Sequence, residues 1–167
     1  MNTDPPHDSI SRLGLKGVVP VDEMAGDEPH DTALLGKLRD DASKYLLSFS
    51  WCVSILETYY GDGVGGIVGV FLFRFLPARP DIDEWLWVVV GDLPPAYFVT
   101  DVLKSPFEVL EAYIEHRSRW IEYASKGETP PRDVMPVEVS PTPELAKELQ
   151  GRLSTLQEHI LPFFRKA

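Results

Sequence analysis

Two stretches of this chain, Ile67–Phe75 (IVGVFLFRF) and Glu84–Val90 (EWLWVVV), are apolar at odd and even positions alike. A β-strand sends successive side chains to opposite faces of its sheet. A strand with both sets apolar must be covered on both sides, so it belongs in the middle of a sheet. In the second stretch Trp85, Trp87 and Val89 share one face, and Leu86, Val88 and Val90 share the other. The first stretch is similar, broken only by Arg74. WCVSILETYY (Trp51–Tyr60) and AYFVT (Ala96–Thr100) flank the pair and are rich in the aromatic and β-branched residues that suit a pleated surface. Short connections join all four. A parallel crossover needs a dozen or more residues, so neighbouring strands must run antiparallel.

Helical periodicity brackets this region. Leu34, Leu35, Leu38, Ala42, Tyr45, Leu46 and Phe49 recur at three- and four-residue steps, which predicts a helix starting near Asp31 or Thr32. SPFE at Ser105–Glu108 is a capping box, with Pro106 at the first helical position and Glu108 reaching back to the cap amide. Phe107, Leu110, Ile114, Ile121 and Ala124 form the stripe of that helix, and Gly127 is its stop. A proline-rich connector, Glu128–Pro143, follows; VMPVEV within it reads as an edge strand, where proline is tolerated. The last helix opens at Thr142–Pro143 and carries Leu145, Leu149, Leu153, Leu156, Ile160 and Phe163, with Pro162 bending its end. Arg165 and Lys166 sit where the helix dipole favours cations. The expected fold is α+β, a four-stranded antiparallel meander with three packed helices in the order α-β-β-β-β-α-α. Residues 1–30 read as a flexible, acidic, proline-containing arm, within which LGLKGVVPV (Leu13–Val21) is open to lying along the body as an extended strand or clip. Residues 31–167 read as one domain. Helices are expected on one sheet face, with the arm or a partner on the other.

Of the glycines at 61, 63, 65 and 66, Gly61, Gly63 and Gly66 match the bare G-x-G-x-x-G spacing of a dinucleotide fingerprint. A phosphate cradle needs a helix next, because the helix amino terminus supplies the positive end. Strand-like IVGVFLFRF follows instead, so the cluster reads as a hairpin turn.

Catalytic patterns are missing. His7, His30, His116 and His159 show no zinc spacing. Ser48, Ser50 and Ser54 lack a nucleophile elbow. Cys52, the single cysteine, has no cation near it in sequence and reads as a buried thiol. No cofactor or metal is implied. The densest acid group is Asp81, Asp83 and Glu84, with Asp62 and Asp92 as candidate neighbours in space. Arg74 calls for a carboxylate partner if buried, and Glu57 across the hairpin is the nearest. The tryptophans and tyrosines supply core and, for some, a pocket or interface.

The formal net charge is -10, with a pI near 4.8. Such a surface repels phosphate backbones, which argues against nucleic acid and fits a basic protein partner. There is no apolar run of about 18 residues to span a membrane. The stretch GDGVGGIVGVFLFRFLPARPDIDEWLWVVVGDLPPAYF (Gly61–Phe98) resembles a family of small acidic bacterial proteins without an established activity, over roughly residues 40–165. That resemblance implies a bacterial cytoplasmic setting and assigns no residue a role. Size and charge resemble those of bacterial immunity proteins, an analogy of type only. The expectation is a non-catalytic protein-binding module, of an immunity or regulatory-inhibitor kind, acting through Asp81, Asp83, Glu84 and their neighbours. The alternative is a small enzyme or ligand-binding protein with a pocket between sheet and helices. Self-association is compatible with either.

Overall fold

The computed structural model describes residues 6–164, so Arg165 and Lys166 lie outside the described residues. The chain is α+β, with an antiparallel sheet of five strands in sequential order: β1 (Val19–Pro20), β2 (Cys52–Val64), β3 (Val68–Pro77), β4 (Trp85–Gly91) and β5 (Ala96–Val99). The four long strands are those the alternation predicted. The fifth, β1, adds two residues that pair with Tyr59 and Tyr60 of β2. Among the described residues four α-helices accompany the sheet: α1 (Pro6–Arg12), α2 (Pro29–Leu47), α3 (Pro106–Ala124) and α4 (Pro143–Thr155). The expected count of four strands and three helices is therefore short by β1 and α1. Both lie in the amino-terminal arm; α1 (Pro6–Arg12) has little apolar content to announce it, and β1 falls within LGLKGVVPV, where the sequence leaves an extended strand open.

Within that arm Ile10 and Leu15 are buried, and the Lys16 amide donates to the Lys104 carbonyl at 2.9 Å. LGLKGVVPV is thus a clip along the body. Helix α2 starts earlier than its stripe suggests, because Pro29 fills the first turn after Glu28. Proline has no amide hydrogen to lose there.

The sheet is covered on both faces, as β3 and β4 require. Leu35, Leu38, Ala42 and Leu46 of α2 pack with Phe71, Phe73, Phe75, Leu86 and Val88. On the opposite face α3 packs against the layer of Val70, Leu72, Trp85, Trp87 and Val89, and α4 packs on α3 to complete the same core. The second face is covered mainly by α2, with Val19 and Met24 of the arm packed against the same layer. Each fully buried Phe or Leu in these layers contributes about 1.5–3 kcal/mol.

The β2–β3 hairpin turns at Val64–Ile67, where the Ile67 amide donates to the Val64 carbonyl at 3.0 Å. Gly66 there has φ 78°, a left-handed conformation that glycine adopts without strain. A Cβ on Gly65 would come within 2.8 Å of the Leu34 Cβ, so the turn also seats α2. No helix follows the glycines; Val68 begins a strand.

The capping box differs in one bond. Ser105 Oγ accepts from the Glu108 amide at 3.3 Å, but Glu108 accepts from the Lys104 amide, one residue before the cap. VMPVEV forms no strand; among the described residues it has no ladder partner. Helix α4 runs into a π turn (Leu156–Ile160) and a 3-10 turn (Leu161–Phe163). This change of pitch exposes Phe163 and buries Phe164 in its place. No helix among the described residues is long and apolar enough to cross a membrane.

Candidate functional site: a cleft around the free edge of the sheet

Strand β5 is an edge strand, paired only with β4. Tyr97 pairs with Val88, whose side chain belongs to the α2 face, so alternation points Tyr97 toward α2. Its ring lies 6.5 Å from Tyr45 and 5.3 Å from Phe49, both from the end of α2 or just beyond it. Trp51 stacks on Phe49 at 4.8 Å. Ala96 and Phe98 point the other way, into the α3 layer. The β5 edge thus stands between aromatic residues on one face and α3 on the other.

Two adjoining hollows wrap this edge, each of about 340 Å³, and share Tyr45, Pro95, Tyr97, Arg117 and Pro136. The first extends to His116, Arg132 and Asp133. The second extends to Phe49, Val137, Glu138 and Val139. The outer wall is the proline-rich connector. It stands off from β5 because Pro136 has no amide to offer a ladder and its carbonyl is taken elsewhere.

Arg117 takes it. Its Nη1 donates to the Pro136 carbonyl at 2.9 Å, and its Nη2 donates to the Pro95 carbonyl at 2.8 Å. The side chain is 1% exposed. No ion pair among the described residues includes it. Its guanidinium lies 5.2 Å from the Tyr113 ring centroid, and its buried Nε has no hydrogen-bond partner. The Tyr113 hydroxyl donates to the Pro94 carbonyl at 2.6 Å, which fixes the β4–β5 turn from the same helix. Burial, with the nearby Tyr97 as a smaller cause, pushes the Tyr45 phenol up to about 12. His116 faces Phe98 at 5.9 Å, and its Nδ1 is buried without a partner.

The residues singled out from sequence lie elsewhere and in two groups. Arg74 is paired with Glu57 (Nη1–Oε2 3.3 Å) and with Glu84 (Nε–Oε2 3.4 Å). The register explains this: Glu57 is opposite Arg74 on β2, and Trp85, next to Glu84, is opposite on β4. Asp81 is exposed and pairs with the equally exposed Arg79, while Asp83 is exposed beside it. Asp62 and Asp92 do not join this group. They lie at the other end of β4, roughly 20 Å away by strand rise. Asp62 caps its own neighbour, accepting from the Gly63 amide at 2.9 Å, and Asp92 pairs with Arg152 at 3.4 Å. No set of three or more potential metal ligands converges among the described residues. Cys52 is buried, which pushes its thiol pKa up.

Arg117 was missed, yet it left a signal. It lies three residues after Ile114 and four before Ile121, on the apolar stripe of α3. A cation on a buried stripe is the anomaly that marks a site. Comparison with known proteins adds nothing to this geometry: no family model, no curated protein and no solved structure matches the chain.

Proposed function

We propose that this chain is a ligand-binding protein whose cleft around the β5 edge takes a small molecule with a flat, apolar body. The observation that carries this reading is the pair of adjoining hollows with shared aromatic walls and a buried arginine as floor. Pockets of roughly 300–1,000 Å³ with apolar walls and a few placed polar groups are the usual form of small-molecule sites. The test is a titration with small aromatic compounds, read by the change in fluorescence lost in a Trp51→Phe variant. Saturable binding is expected, weakened about tenfold, or ~1.4 kcal/mol, by Tyr97→Ala. Absence of any saturable change up to millimolar ligand would count against the cleft.

A second reading has a basic protein docking on the loop at Asp81, Asp83 and Glu84, in the manner of an immunity protein or regulatory inhibitor. What favours it is the net charge of -10 together with the exposure of Asp81 and Asp83 around an open hollow of about 430 Å³. Such a complex forms faster at low salt and loses rate when Asp81 and Asp83 become Asn. Insensitivity of association to both changes would remove this reading.

A further inference from the structure

We infer that the cleft ligand is a small organic anion, oriented with its acid group toward Arg117 and Arg132 and its apolar body toward Phe49 and Val137. This rests on the ligand-binding reading above and adds charge and direction to it. The first observation is the cost of Arg117 as it stands. A buried cation is normally matched by a carboxylate, and this one has two backbone carbonyls and the Tyr113 ring and hydroxyl. Its Nε–H, buried and without a partner, is a donor left over. A buried cation without a carboxylate partner leaves unneutralised positive potential in the cleft wall.

The second observation is the distribution of charge along the cleft. Arg132 lines the first hollow with Arg117. The carboxylate there, Asp133, is already engaged by Arg119 at 3.1 Å. Arg117 borders the second hollow too, but that hollow adds Glu138 and the apolar residues Phe49, Val137 and Val139 in place of Arg132. An anion is drawn to the first end and repelled from the second. Arg117 is too enclosed to be fully grasped, so it acts through its field in a poorly hydrated wall, where charges are weakly screened. Arg132 in the first hollow, and Tyr45 and Tyr97, which line both, supply the contacts. In a chain of net charge -10 this end of one cleft is a local exception, which favours selective capture of an anion.

The experiment compares phenylacetate with its neutral isostere phenylacetamide, and benzoate with benzamide, by calorimetry at low and high salt. The acids should bind at least tenfold tighter than the amides at low salt, with the gap narrowing as salt rises. Arg132→Ala should lower acid affinity several-fold and leave the amides unchanged, and Glu138→Gln should leave acid affinity equal or higher. Arg117→Lys keeps a cation and should retain part of the preference; because it can disturb the connector, the Arg132 variant provides the independent readout. Equal binding of acids and amides would overturn the inference while the ligand-binding reading stands. Binding of neither, at millimolar ligand, would overturn both.

Discussion

Arg74 and Arg117 each interrupt an apolar pattern, and their surroundings separate them. Arg74 is partly open and held by Glu57 and Glu84. Its double-mutant cycle with Glu57 should return only about 0.5–1 kcal/mol, the scale of a solvent-screened pair, measured by urea unfolding. A coupling several times larger would mean the pair is more desolvated than its exposure indicates. The tyrosines give a pH prediction. Tyr45, Tyr59 and Tyr113 are each raised from 10.0 to about 12, with burial the first cause. Unfolded, they release their protons near 10; folded, only near 12. Deprotonation therefore favours the unfolded chain. Their contribution is whole below pH 10 and is lost as pH rises to 12. Unfolding midpoints should fall across that window, less steeply in Tyr113→Phe. A folded protein whose six tyrosines all ionise together near pH 10, by phenolate absorbance, would contradict this.

At the scale of elements, local chemistry decides where helices start. Helices α3 and α4 begin with a side-chain cap, from Ser105 and Thr142, followed by proline. Helix α2 begins with Glu28 and Pro29, and no side chain caps it. Ser105→Ala should cost about 1 kcal/mol, and Glu28→Ser should gain up to ~1 kcal/mol, by urea midpoint. A loss on adding the serine would show that Glu28 serves α2 in another way. The hairpin adds a sharper case. Gly66→Val places a β-branched residue at φ 78° and should cost at least about 1–2 kcal/mol. The cap at Ser105, the turn and the strand alternation were all readable locally. The connector was not: proline allowed an edge strand at VMPVEV, and only the Arg117 bond to Pro136 shows why the segment stands clear of β5.

For the whole molecule, the sheet is a shared floor between two cores. Leu38 belongs to the α2 side and Leu149 to the α3–α4 side. Each change to alanine should cost about 2–5 kcal/mol. The double variant should show their sum within about 0.5 kcal/mol, because the sites share no partners. A large departure from additivity would mean that the layers are coupled through the sheet. The cleft is a product of this layering: α2 and α3 reach round the same free edge from opposite faces, and the connector closes the outside.

The chain's own order of residues determined the strands, their antiparallel pairing, the glycine turn and most helix ends, because each depends on neighbours a few positions apart. Sequence also brought Glu57 to Arg74, since one hairpin register joins them. Tertiary structure alone decided that α2 covers the second sheet face, that Asp62 and Asp92 stand far from Asp81, and that Tyr45, Tyr97 and Arg117 meet. Those three come from α2, β5 and α3, and no local pattern records which face of a sheet a helix will take. Burial of apolar area is non-directional, so both faces of β3 and β4 demanded cover without naming it; packing made the choice, and the cleft with it.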